Sequence, residues 1–329
     1  MPYPEFDRDR LHLAPLSERI HDLDIASVLP LQTPPDIHPV LRQVAVHLAA
    51  AQKNSAARIF MMGAHVIRSG VQHFLINLME RGAISLIAMN GAGVIHDFEL
   101  ALIGKTTESV ARYIATGQFG LWQETGRIND IVRQGAKAGL GLGEAVGQAI
   151  LHGNYPHKYI SLLARAAELG IPVTVHVGIG QDITHEHPNF DGAAYGQASY
   201  RDFLRFVSAM ENVNQGVVMN FGSAVAAPEV YLKALAMARN VALQDGRTIT
   251  DFTTLVCDLQ ELPTGEVGLE PDKADPRYYF RPWKTMLSRT VAQGGRGYYY
   301  RGVHAESIPQ LWAACLEAMP IQKLNFSHH

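Results

Sequence analysis

The stretch Arg58–Val94, RIFMMGAHVIRSGVQHFLINLMERGAISLIAMNGAGV, decides the fold. Its apolar run Ile59–Met62 has the length and continuity of a buried strand and stops at Gly63. Val66, Ile67, Val71, Phe74, Leu75 and Leu78 then recur at helical spacing, which predicts a helix over Val66–Met79. Ile84–Met89 is a second run, apolar except for Ser85, stopped by Asn90-Gly91-Ala92-Gly93. Strand, helix and strand in this order make a βαβ unit. Strands that are apolar throughout, rather than alternating, belong to a parallel sheet covered on both faces.

The same alternation continues outward. Pro172–Val177, Val217–Phe221, Thr254–Cys257 and Gly297–Val303 read as further strands. Helices are predicted from about His96, over Tyr200–Met210, from Pro228, over Trp283–Val291 and over Glu306–Met319. Residues 107–170 carry helical patterns and no convincing strand. Residues 1–56 read as a lead-in packing on the core, because Pro30, Pro34, Pro35 and Pro39 delay helical periodicity until about Val40. The expectation is an α/β, Rossmann-like parallel sheet with helices on both faces and a helical insertion. It occupies 57–320, and 321–329 form a tail.

The 329 residues are 47% apolar and 18% charged, against the roughly 25% charged of ordinary soluble domains. A large core is therefore available. A formal net charge of −3 argues against a nucleic-acid partner, which needs a basic footprint. No run of ~18 uninterrupted apolar residues occurs, so no membrane association is expected. The opening MPYPEFDRDR lacks the apolar segment of a signal peptide. Cys257 and Cys315 are the two cysteines, too few for a disulfide framework or a cysteine zinc site. A cytoplasmic protein is the expectation. Fifteen histidines are a high count, even with the terminal His328 and His329 set aside as a tag remnant.

Ligands of open parallel sheets bind beyond the carboxyl ends of the strands. Three such ends carry small residues: Gly63-Ala64-His65, Asn90-Gly91-Ala92-Gly93 and Gly222-Ser223-Ala224. Glycine permits a tight turn and close approach to a ligand, and the next helix start attracts phosphate. These turns point to a nucleotide, against the plain alternative that they merely turn the chain. Gly139–Gly147 imitates a dinucleotide fingerprint. It follows the helical pattern Ile128–Lys137 instead of a strand, so a helix–helix turn is predicted. The densest polar segment holds His176, Asp182, His185, Glu186, His187 and Asp191. Imidazoles and carboxylates together suit a divalent transition metal on His176, Asp182, His185 and His187, or acid–base work, or a solvated loop. Bases and aromatics alternate over Arg277–Arg301, as in a nucleotide platform or a subunit interface. Serine-hydrolase, P-loop and zincin signatures do not occur.

In order and spacing, these motifs resemble the deoxyhypusine synthases. The resemblance runs through Gly63-Ala64-His65-Val66-Ile67-Arg68-Ser69-Gly70, the strand 84–89, Gly91-Ala92-Gly93-Val94 and Asp97. It continues through Ile171-Pro172-Val173, the turn at Gly222 and Arg281-Pro282, covering roughly 57–320. It implies an NAD-binding α/β fold, a homotetramer and an active site at a subunit interface. In that family NAD oxidises spermidine beside its secondary amine, and a lysine carries the butylamine fragment as an imine. The resemblance places NAD contacts at Gly63, Ala64, His65 and Ser69, at Asn90, Gly91, Ala92 and Gly93, and at Gly222, Ser223 and Asp258. The family's lysine falls at Thr290, beside Arg289, and neither side chain forms an imine. Its base histidine falls near Ala227, and its polyamine-gripping acids near Gly180 and His185.

The resemblance thus implies an NAD-dependent transferase or oxidoreductase with an altered small-molecule substrate, an amine or alcohol. His185, with Asp182 or His176, would be the acid–base groups, and Lys284 and Arg289 would hold an anionic or carbonyl group. The alternatives are a metal-dependent enzyme built on the histidine loop and a non-catalytic nucleotide-binding protein.

Overall fold

The long apolar runs are strands in the computed structural model, which describes residues 3–262 and 267–319. Along the chain come β1 (His21–Asp24), α1 (Pro39–Lys53), β2 (Arg58–Met62), α2 (His65–Arg68), α3 (Gln72–Glu80), β3 (Leu86–Met89) and α4 (Gly91–Ile103). Next are β4 (Lys105–Glu108), α5 (Val110–Ile114), α6 (Arg127–Lys137), α7 (Leu142–His152), α8 (Leu162–Leu169), β5 (Val173–Val175) and α9 (Gly192–Glu211). The chain continues through β6 (Val217–Phe221), α10 (Ala226–Gln244), β7 (Thr253–Asp258), a π-helical segment (Trp283–Arg289), β8 (Arg296–Arg301) and α11 (His304–Ala318). The fold class is α/β with parallel strands flanked by helices, as expected. The chain divides into two units, one of Met1–Val28 with Met89–Arg205 and one of Leu29–Ala88 with Phe206–His329. These breaks differ from those read in the sequence at 56 and 320, and residues 321–329 lie outside the described part.

In the second unit, strands run in the order β3-β2-β6-β7-β8. Arg58 pairs with Val217, Val217 with Thr253 and Thr253 with Arg296, all parallel. The strands therefore start level, and Met62, Phe221 and Cys257 bring their carboxyl ends level too. β2, β6 and β7 are buried almost throughout, which explains their unbroken apolar sequence. Helices cover both faces. Thr254 Oγ1 donates to the Met286 carbonyl at 2.9 Å, and Gly297 lies against Leu287. The next residue, Tyr298, points the opposite way, to His47 of α1 at 3.2 Å. From β2 the chain moves outward to β3, then returns to the other side of β2 for β6, β7 and β8. The topological switch therefore falls between β2 and β6.

Several boundaries differ from expectation. The helix predicted over Val66–Met79 is two, because Gly70 takes φ +73° between α2 and α3. The helix expected from His96 begins at Gly91, where the Asn90 side chain accepts the Gly93 N–H. The helix expected over Tyr200–Met210 already begins at Gly192, as α9. Trp283–Arg289 winds as a π-helix instead of an α-helix. The turn at Gly139–Gly141 does join two helices, α6 and α7.

In the first unit, α5 to α8 supply the expected helical insertion, but β4 precedes it and pairs antiparallel with β1, which the lead-in reading missed. His21, Asp22 and Asp24 make β1 polar, so its pattern carries no strand signal. Arg19 is held against α4. Its Nη1 and Nη2 donate to the two Glu99 carboxylate oxygens at 2.9 and 2.6 Å. Thr106 and Thr125 donate to the same carboxylate, and both charged side chains are 1% exposed. No helix among the described residues is long and apolar enough to cross a membrane.

Removing one partner of a buried, hydrogen-bonded pair leaves an uncompensated charge. Arg19→Met should destabilise the protein by about 3–5 kcal/mol, read by urea denaturation. Arg19→Met with Glu99→Leu should recover part of that loss. Equal midpoints for wild type and Arg19→Met would contradict this role.

Candidate functional site

In the second unit the topological switch lies between β2 and β6, the place where open parallel sheets bind ligands. β2 ends in Gly63 and β6 in Gly222. A Cβ on Gly63 would stand 2.5 Å from the Gly222 carbonyl oxygen, so the two backbones meet there as side chains could not. The Gly63 N–H donates to the Phe221 carbonyl at 2.9 Å, and the Gly222 N–H to the Cys257 carbonyl at 3.1 Å. Gly222 has φ +67°, and a Cβ on it would lie 2.4 Å from His304 Nε2. His304 opens α11, whose preceding residue, Val303, has no side chain able to cap it.

Polar side chains gather around these glycines. Arg68 Nη1 lies 3.1 Å from His65 Nε2. Burial and then the Arg68 charge depress the His65 pKa. Burial also depresses that of His304, with Asp258 opposing and His65 adding to the shift. The buried atoms Arg68 Nε, His304 Nδ1 and Asn220 Oδ1 have no hydrogen-bond partner. Asn220 Nδ2 donates to the Ser223 carbonyl at 2.9 Å, which fixes its amide and leaves Oδ1 as the open acceptor. Sequence reasoning missed Arg68, Asn220 and His304. The signal for His304 was present: strand β8, then Gly302, then a helix start.

Other residues assigned to the cofactor are engaged structurally. Ser69 Oγ donates to the His65 carbonyl at 2.8 Å, and Ser223 Oγ accepts the Ala227 N–H at 3.1 Å. Asp258 Oδ1 accepts the Leu259 and Gln260 N–H groups, and its carbonyl accepts that of Gly302. Ala64 lies between Gly63 and α2, with no functional atom beyond its backbone.

Lys284 and Arg289 do not converge. Lys284 is 5% exposed and its Nζ sits 3.8 Å from the Tyr278 ring centroid. Arg289 is half-exposed and paired with Glu270. Met286 and Leu287 already lie beside Thr254 and Gly297, early in β7 and β8. Arg289 and Thr290 therefore stand at the amino ends of the strands, away from the glycine edge. Thr290 is buried, donates to the Thr285 carbonyl and accepts from Tyr231.

The first unit holds Asn90, Gly91, Ala92, Gly93 and the histidine segment. The start of α4 is already filled from within. Asp182 accepts the Ala92 N–H, and a Cβ on Gly91 would be 2.1 Å from Asp182 Oδ2. Gly91 thus admits the protein's own carboxylate. Burial pushes the Asp182 carboxyl up to about 6. His185 Nδ1 accepts the Gly180 and Asp182 N–H groups at 3.0 and 3.3 Å. The ring is therefore neutral with its proton on Nε2, 3.8 Å from Asp182 Oδ2. His185 Nε2 has no hydrogen-bond partner, and Asp182 is the group of the two able to exchange a proton near neutrality.

The metal reading fails on this geometry. Among the described residues, no three His, Cys, Asp or Glu side chains gather to hold a metal ion. His187 is fully buried and directed at the Gly120 carbonyl at 2.8 Å. His176 lies 3.1 Å from Thr174 Oγ1, and burial lowers its pKa to about 4. Asp97, part of the family motif, is fully buried and accepts from Ser161 Oγ and the Leu162 and Leu163 N–H groups at the start of α8.

No protein family matches the sequence, and no curated protein matches it. Among solved structures, the chain is similar to ArgZ, an arginine dihydrolase from the ornithine–ammonia cycle in cyanobacteria. The TM-score is 0.50 at 13% identity, over 86% of this chain and 33% of that one. A conserved LOR/SDH protein from Methanococcus maripaludis S2 gives a TM-score of 0.48 at 14% identity, over 88% and 71%. The ternary complex of AgrE with ornithine and NAD+ gives 0.45 at 13% identity, over 85% and 32%. This chain spans about a third of the ArgZ chain. The likeness to ArgZ is one of fold.

Two outcomes follow from the geometry. Gly63→Ala should lower stability by on the order of 2 kcal/mol or more, since its Cβ meets backbone. An unchanged denaturation midpoint would refute the close approach. Asp182 has a folded pKa of about 6 against 3.8, so its stability contribution is complete below about pH 4 and lost as pH rises through 6. Asp182→Asn should therefore gain on wild type between about pH 4 and 7, by up to ~3 kcal/mol. Parallel melting-temperature profiles would contradict this.

Proposed function

We propose that the chain is an NAD-binding enzyme of the deoxyhypusine-synthase-like type, acting on a small amine or alcohol and not making deoxyhypusine. The observation that supports it most directly is the contact of Gly63 with Gly222 at the switch between β2 and β6. Side-chain-free backbone at that position suits a dinucleotide, whose pyrophosphate needs close main-chain approach. When bound, NAD accepts a hydride from a carbon bearing nitrogen or oxygen. Asn220 Oδ1 offers a carbonyl acceptor to an amide or amine N–H of a ligand. Thr290, buried and bonded to Tyr231, leaves no amine at the family's lysine position, which supports oxidation without imine transfer.

A small-molecule substrate, a cytoplasmic setting and a homotetramer remain part of the proposal through the family resemblance.

Isothermal titration calorimetry with NAD and NADH tests it. One NAD per subunit, with turnover of an amine or alcohol, is the expected result. No heat and no change in melting temperature with either cofactor would overturn it. Binding without turnover of any amine or alcohol would leave a non-catalytic nucleotide-binding protein.

A further inference from the structure

Three cationic or imidazole groups of the second unit, Arg68, His65 and His304, lie in sequence along this edge, and the Asp258 carboxylate acts on His304. Arg68 pairs with no carboxylate among the described residues. Its one polar side-chain neighbour is His65, at 3.1 Å, and its buried Nε is unpartnered. His65 in turn acts electrostatically on His304, whose Nε2 lies over Gly222. His304 Nδ1 is buried and unpartnered. His304 is also the first residue of the 15-residue α11, whose start carries no side-chain cap. In its first turn Ser307 is fully buried, and its Oγ likewise has no partner.

Each feature is costly alone. Buried polar atoms without partners lose on the order of 1–3 kcal/mol each. One group resolves all of them: an oxyanion with several acceptor oxygens, such as phosphate. It takes the Arg68 N–H groups, an imidazole N–H and the open main-chain N–H groups of α11, while the helix dipole favours its charge. A carboxylate of the protein does this for α4, α7 and α8 in the other unit. None caps the start of α11 in this way: Asp258 acts on His304 through its charge, while its Oδ1 accepts from Leu259 and Gln260.

We infer that Arg68, His65 and His304, at the start of α11, form a phosphate-binding site that seats the phosphates of the bound nucleotide. This rests on the proposed nucleotide binding for the ligand's identity, but not for the anion chemistry. The sequence expectation placed His65 among the cofactor contacts after β2 but included neither Arg68 nor His304.

Inorganic pyrophosphate and NAD, each titrated calorimetrically into the full-length protein, test it. Wild type should bind both. Arg68→Gln should weaken both at least 10-fold, Arg68→Lys less, and His304→Gln about 5-fold, with melting curves in the absence of ligand checking that each variant folds. If pyrophosphate binds and NAD does not, the phosphate site stands and the nucleotide proposal falls. If NAD binds equally to wild type and Arg68→Gln, the nucleotide proposal stands and this site falls. Absence of pyrophosphate binding to wild type also overturns it. Should Arg68→Gln fail to fold, His304→Gln with His65→Gln carries the same comparison.

Discussion

The second unit depends on one backbone contact. Gly63 and Gly222 end adjacent parallel strands so closely that a methyl group on Gly63 would meet the Gly222 carbonyl at 2.5 Å. That approach keeps the carboxyl ends of β2 and β6 level, and it brings the start of α11 over Gly222. The switch in strand order places it where two connections depart in opposite directions. The edge therefore follows from topology, and its lining from the few side chains that the departing segments carry past it. Arg68 and His65 come from α2, Asn220 from β6 and His304 from α11.

The first unit treats helix starts differently. Asp97 serves α8, Asp182 serves α4, and Asp202 serves α7 through the Gly143 N–H while also accepting from Val175. Burial pushes all three carboxyls up to about 6. Each neutralises a helix dipole that an external anion would otherwise fill. A glycine-rich helix start is therefore not by itself a ligand site: Gly91 makes room for Asp182 as readily as it would for a phosphate. The contrast with α11, which has no such carboxylate, singles out the second unit's edge.

Much of this was legible in the sequence. Unbroken apolar runs gave β2, β3, β6 and β7, and glycines marked the carboxyl ends that matter. β1 and β4 were not legible, since their pairing depends on partners 80 or so residues apart and their side chains are polar. The histidine segment misled because residue type and spacing say nothing of partners. His187 is spent on a carbonyl and His185 on two N–H groups. Thr290 was correctly seen as unable to replace a lysine, but its position at the amino ends of the strands needed the register of β7 and β8. His304 escaped notice because a lone histidine after a strand looks ordinary until Gly222 is placed beneath it.

The central claim is that the nucleotide sits at the carboxyl edge of β2 and β6. Amide hydrogen exchange with and without saturating NAD locates it directly. Protection over 62–68, 220–224 and 302–306 is the predicted result. Protection confined to other segments, or none at saturating NAD, would contradict the account.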